Sequence, residues 1–157
     1  MQLSQNFTLA EFVRSETADR FRLDNTQVIT EHLDNLKALC TQVLQPLRDA
    51  IGSPLRINSG FRSAEVNDRL GGARGSQHLY GEAADIECLA VDNLQLAHRI
   101  VELGLPFDQL ILEFYKHPDP RSGWVHVSHS RKINRGQVLT AARANGKNYF
   151  VKGLPPK

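Results

Sequence analysis

An α+β fold is what this chain predicts, and three observations predict it. Amphipathic helical patterns dominate the first third, whereas short β-prone runs at 83–88, 109–115 and 124–128 come later. Strands and helices do not alternate as regular βαβ units, which argues against a doubly wound parallel sheet. The 157 residues, 41% apolar and 23% charged, suit one domain with a buried core and a small antiparallel sheet flanked by helices.

Each element has a local reason. Thr8-Leu-Ala-Glu11 matches a capping box and opens a short helix near 9–15. Ile29, Leu33, Leu36, Val43, Leu44, Leu47 and Ile51 share one face of a helix expected over 27–51. Pro46 should kink its last turns, and Gly52 with Pro54 should close it. Leu55–Ile57 reads as a strand leading into Asn58-Ser-Gly60, after which Ser63 caps a helix to about Leu70. Residues 71–81 form a loop of small and polar residues, and Ala83–Cys88 is a strand. Asp92 caps a helix to about Leu103, stopped by Gly104 and Pro106. Gln109–Tyr115 and Trp124–Ser128 are strands. Gln137–Ala144, rich in helix formers, reads as a last helix before a β-prone Tyr149-Phe150-Val151. The expected organisation is thus one domain over 1–157: a short helix in 6–15, a long helix in 27–51, a site-bearing core in 55–128, and a C-terminal helix and tail in 129–157.

A formal net charge of +2 and the absence of a Lys/Arg run give no support to nucleic-acid binding. No apolar run approaches the roughly 20 residues that cross a bilayer, and MQLSQNFTLAEF lacks the features of a signal peptide. Synthesis in a cytoplasm without membrane insertion is the expectation. Cys40 and Cys88 lie in apolar surroundings without CxxC spacing and read as buried free thiols.

The chemistry concentrates in Ser59–Asp85 and Gly123–Ser128. His78 and Asp85 lie seven residues apart with Gly81 between them, and His126 follows on a separate strand. Two histidines and a carboxylate are how a catalytic zinc site is built, its fourth position left for a water. Extended, seven residues would span roughly 23 Å, so the chain must fold back, and Gly81 can take the φ > 0 such a turn needs. The period of two places Asp85 with Ala83 and Glu87, and His126 with Trp124 and Ser128, while Val125 and Val127 point inward. Taken singly, His78 could be a loop histidine, Asp85 a strand-edge cap and His126 a core histidine.

Together the words around them carry a resemblance. Ser76-Gln-His78-Leu-Tyr-Gly81-Glu-Ala-Ala-Asp85, preceded by Ser59-Gly-Phe-Arg62-Ser and followed by Trp124-Val-His126-Val-Ser, resembles the zinc D-Ala-D-Ala carboxypeptidase and L-alanyl-D-glutamate endopeptidase family. Asn6-Phe-Thr-Leu-Ala-Glu-Phe12 and Asp24-Asn25-Thr26 are similar to its compact phage and prophage branch, so the likeness covers nearly the whole chain. It implies a Hedgehog-like zinc peptidase fold, one zinc ion per chain on His78, Asp85 and His126, and a monomer that cuts peptidoglycan stem peptides. Such a protein reaches the wall after release or as part of a phage particle. Arg62 then lies near the zinc, to grip a substrate carboxylate or steady an oxyanion; the alternative is a structural pair with Asp68 or Asp85.

One departure stands out. Many members of that family carry a carboxylate three residues before the strand histidine, where this chain has Gly123. A hydrolase needs a base, and Glu113 on an apolar strand is the best substitute, because a carboxylate there is costly without a partner or a task. A similar glutamate lies beside the metal in the Hedgehog signalling domain. Asp108 is the runner-up, though its place at a strand entrance suits a turn cap. His129 and His117 are spare, His129 as an exposed strand-end residue, and His32 and His98 carry no site signal. A second reading is a cell-wall-binding or virion structural module with a relic site, supported by Gly123. A third, a glycosidase, needs paired carboxylates rather than zinc.

Overall fold

The computed structural model describes residues 1–157, and its elements are α+β as expected. A two-stranded antiparallel pair, β1 (Gln2–Ser4) and β2 (Phe7–Thr8), runs into α1 (Leu9–Val13), where the Thr8 N–H donates to the Glu11 carboxylate at 2.7 Å. A further helix, α2 (Glu16–Phe21), is capped by Ser15, which accepts from the Ala18 N–H.

The long helix begins at Thr30 rather than Gln27, and Ile29 is left 56% exposed instead of joining the apolar face. It runs as α3 (Thr30–Leu39), a π-helical turn (Cys40–Leu44) and α4 (Gln45–Ile51). The irregularity lies just before Pro46: Gln45 N–H bonds to Cys40 O, the longer i→i−5 spacing by which a helix absorbs a residue that lacks its own N–H. Both cysteines are free and buried.

The main sheet has the order β3-β4-β6-β5-β7-β8, with β3 (Leu55–Ser59), β4 (Ala83–Cys88), β5 (Gln109–Glu113), β6 (Trp124–Ser128), β7 (Gln137–Ala144) and β8 (Lys147–Lys152). Its first four strands are antiparallel. Ala84, Ile86, Leu110, Leu112, Val125 and Val127 alternate onto one face and pack with Leu96, Ala97 and Ile100 of α6 (Asn93–Glu102) and with the long helix in a cluster of 24 buried residues. The opposite face is left to the site. Between β3 and β4 lie α5 (Ala64–Arg69), capped by Ser63, and a one-turn 3-10 helix (Gln77–Tyr80).

The C-terminal helix expected over Gln137–Ala144 is instead β7, parallel to β5 and hairpinned to β8. Helix propensity lost to a turn signal. Asn145 (φ 52) and Gly146 (φ 73) both adopt the left-handed region that a tight two-residue hairpin requires, and Asn-Gly is its strongest sequence cue.

Candidate metal centre

Strand register assembles the site. Asp85 on β4 faces His126 on β6 directly, with both side chains on the face opposite the core. His78 arrives from the 3-10 helix, whose chain reverses at Gly81 (φ 69). A Cβ on Gly81 would lie 2.5 Å from the His32 carbonyl oxygen, so both the turn and the close approach require glycine. His78, Asp85 and His126 are all buried and offer donor atoms within 4.8 Å of one another.

His78 Nε2 lies 3.3 Å and His126 Nδ1 3.1 Å from the same oxygen, Asp85 Oδ1. Two ligands at about 2.0–2.1 Å from a tetrahedral zinc stand about 3.3 Å apart, so this donor set fits the ion. The His78 Nδ1–H donates to the Gly60 carbonyl at 2.7 Å, which fixes the ring and leaves Nε2 its lone pair. Burial pushes the His78 pKa down against the pull of Asp85, so the ring is held neutral, as a ligand must be. Burial pushes the Asp85 carboxyl up, but the close approach of His78 and His126 outweighs it and holds it well below the ordinary range.

Arg62 pairs with the other Asp85 oxygen, Nη2 to Oδ2 at 3.2 Å, and its Nε donates to Ser59 Oγ. The pair with Asp85 weighed as a structural role is therefore real. It turns Oδ1 toward the histidines, while Arg62 still lines an open groove of about 870 Å³.

Glu113 ends β5 on the site face, paired in register with Trp124 two residues before His126. Burial, then the charge of Asp85, raises its carboxyl to about 7, with His126 and Arg62 pulling the other way and no hydrogen bond contributing. Gly123 explains why a carboxylate is absent three residues before His126. It sits at φ 66, and a Cβ there would lie 1.9 Å from the Glu113 carbonyl oxygen.

A model of the peptidase M15 family matches residues 5–128. The chain belongs to the peptidase M15 family. Residues 5–128 include His78, Asp85, His126, Arg62 and Glu113, and end before β7. The zinc D-Ala-D-Ala carboxypeptidase of Streptomyces albus G is 50% identical over 44 residues, 27% of this chain and 17% of that protein. The match therefore spans about a sixth of the relative's length.

Around this M15 centre lie anchors that sequence reasoning did not isolate. Buried Asn25 donates to the carbonyls of Val13 (2.8 Å) and Phe61 (3.0 Å) and accepts from the Ser63 N–H (2.7 Å), tying down the segment that carries Arg62. Asn35 donates to the Tyr80 carbonyl and holds the His78 turn against α3. Their signal was polarity at buried positions, which one sequence does not reveal. Asp108 is more than a turn cap: it accepts from the Arg135 backbone and guanidinium and from Gln77, the neighbour of His78. The Arg135 hydrogen bonds hold its carboxyl at about 2. His129, expected to be exposed, is buried, and its Nδ1–H donates to the Pro106 carbonyl at 2.6 Å.

Proposed function

We propose that the chain is a zinc peptidase that hydrolyses a peptide bond in the stem peptide of bacterial peptidoglycan. His78, Asp85 and His126 would hold one zinc ion. The observation that carries this reading is the pairing of a closely spaced buried donor set with an unpartnered carboxylate whose pKa lies near 7. Family membership and the partial likeness to a zinc D-Ala-D-Ala carboxypeptidase support it.

When bound, zinc supplies Lewis acidity, polarising a carbonyl and acidifying a water. Glu113 removes the proton from the attacking water at a carboxylate oxygen and passes it to the leaving amine nitrogen. Glu113 is suited to that double duty by its place on the site face, half-buried and with no hydrogen-bond partner of its own. Arg62 keeps Asp85 oriented and offers its remaining N–H groups to a substrate carboxylate or to the negative charge developing on the carbonyl oxygen. Asp108, saturated by Arg135 and Gln77, is not free to act as base and positions the His78 turn. The resemblance of Asn6–Phe12 to the phage branch makes a wall lysin the proposed biological role.

A wall-binding module with a relic site draws on one observation, the glycine at 123. Bound zinc does not separate the two readings, but turnover of purified peptidoglycan does. The metal assignment has its own test. The native protein should hold about one zinc per chain by elemental analysis after desalting, and His126→Ala should lose most of it. Full occupancy in the double variant His78→Ala/His126→Ala would refute the ligand set.

A further inference from the structure

A second concavity begins at the residue after Glu113. A cavity of about 430 Å³ opens at the Trp124 end of β5 and β6, lined by Phe114, Tyr115, Lys116, Trp124, Ala142 and Arg143. Its size falls in the range that accommodates small ligands, and its walls are mostly apolar, three of the six residues being aromatic and two cationic. Phe114 directly follows Glu113 and takes a left-handed backbone (φ 57), held by its N–H to the Ala141 carbonyl at 3.0 Å. A bulky residue rarely adopts that conformation, and strain of this kind gathers at functional sites. Here it sets the Phe114 ring edge-on to Trp124, with centroids 5.4 Å apart, and beneath the Arg143 guanidinium, 5.5 Å from its centroid.

Arg143 comes from β7, beyond the residues the family model matches. The charge there is strongly segregated. Of 19 Lys/Arg and 17 Asp/Glu in the chain, residues 129–157 hold seven of the former and none of the latter. Arg131, Arg135 and Lys157 are paired with Asp34, Asp108 and Glu102, whereas Arg143 and Lys116 have no acidic partner. The Trp124 indole N–H is buried without a partner, a donor the protein itself does not use.

We propose that this cavity is a substrate subsite for a carboxylate-bearing sugar-peptide unit of the wall polymer, its ring and apolar face against Phe114 and Trp124 and its anion on Lys116 and Arg143. The assignment rests on the peptidase reading for the identity of the polymer. Its location gives it a purpose: Trp124 pairs in register with Glu113 and lies two residues before His126, so binding beside it would position the chain that is cut.

Trp124 is the chain's only tryptophan, so intrinsic fluorescence reports on the cavity without a label. The zinc-loaded protein is titrated with N-acetylmuramoyl-L-alanyl-D-isoglutamine and with the same compound amidated at its free carboxyl. The expected result is a saturable change with the acid, at least about ten-fold weaker with the amide and with Lys116→Gln/Arg143→Gln, and weakened by salt. Lys37→Gln, on an exposed part of α3, keeps the native affinity. Equal affinities for acid and amide, or an undiminished response in the double variant, would overturn the subsite. Turnover of peptidoglycan is scored separately. Binding with no turnover counts against the peptidase and leaves the subsite standing; turnover with a native KM in the double variant removes the subsite and leaves the peptidase.

Discussion

Glu113→Gln makes the account of the base quantitative. In the metal-free protein the Glu113 carboxyl titrates at about 7 instead of 4.5, because burial and the Asp85 charge disfavour its anion. Between those values the folded state holds a proton that the unfolded chain has lost, so folding stability falls as pH rises from 4.5 to about 7. At about 1.4 kcal/mol per pK unit the full gap corresponds to about 3 kcal/mol, and partial exposure brings the expected value to about 1–3 kcal/mol. Glutamine keeps the shape and carries no charge. The stability of the variant relative to native should therefore rise by that amount between pH 4.5 and 8. The assay is urea unfolding of chelated protein at several pH values, followed by far-UV circular dichroism. Adding zinc should shrink the gap, since a nearby dication favours the Glu113 anion. A pH-independent difference between the two proteins would refute the reasoning, because Glu113 would then be an ordinary solvated carboxylate.

The remaining expectations concern the groups that hold the centre in place. Arg62→Lys keeps the charge but loses the fork shared between Asp85 and Ser59, so turnover of a natural muropeptide should fall at least about ten-fold while zinc content and fold persist. Unchanged kinetics would make Arg62 dispensable. Asp108→Asn should cost about 1–3 kcal/mol of stability near neutral pH, because it weakens the bonds to Arg135, and it should cost far less turnover than Glu113→Gln. Since the Asp108 carboxyl is held at about 2 rather than 3.8, its stabilisation is present above pH 3.8 and is lost as pH falls toward 2. The gap between native and Asp108→Asn in acid unfolding should narrow over that window. An inactive Asp108→Asn beside an active Glu113→Gln would reverse the two roles.

The site strands were legible because their physics is local. In β4 and β6 a period of two separates core residues from site residues, and the register that joins Asp85 to His126 follows once those faces are fixed. The turn between His78 and Asp85 was legible too, since the short spacing demands a reversal and Gly81 permits it. The C-terminal segment was misread because Ala, Leu and Arg favour a helix by intrinsic propensity, whereas pairing with β5 and the Asn145-Gly146 turn decide for a strand. The π-helical turn and the shortened start of α3 lay below what periodicity resolves. Asn25, Asn35 and Asp108 act through partners 12 to 45 residues away, and such pairings are set by tertiary structure alone. The departure at Gly123 was visible as a missing carboxylate, and only the backbone of Glu113 lying against it supplies the steric reason.

The central claim is that this donor set and this glutamate cut a peptide bond in the cell wall. Mass spectrometry of purified peptidoglycan incubated with the zinc-loaded protein tests it most directly. The expected products are fragments whose masses and new amino groups define one hydrolysed stem-peptide bond, absent with chelator and formed roughly 10²–10⁴-fold more slowly with Glu113→Gln. Intact peptidoglycan in the presence of fully zinc-loaded protein, or cleavage that survives metal removal, would contradict it.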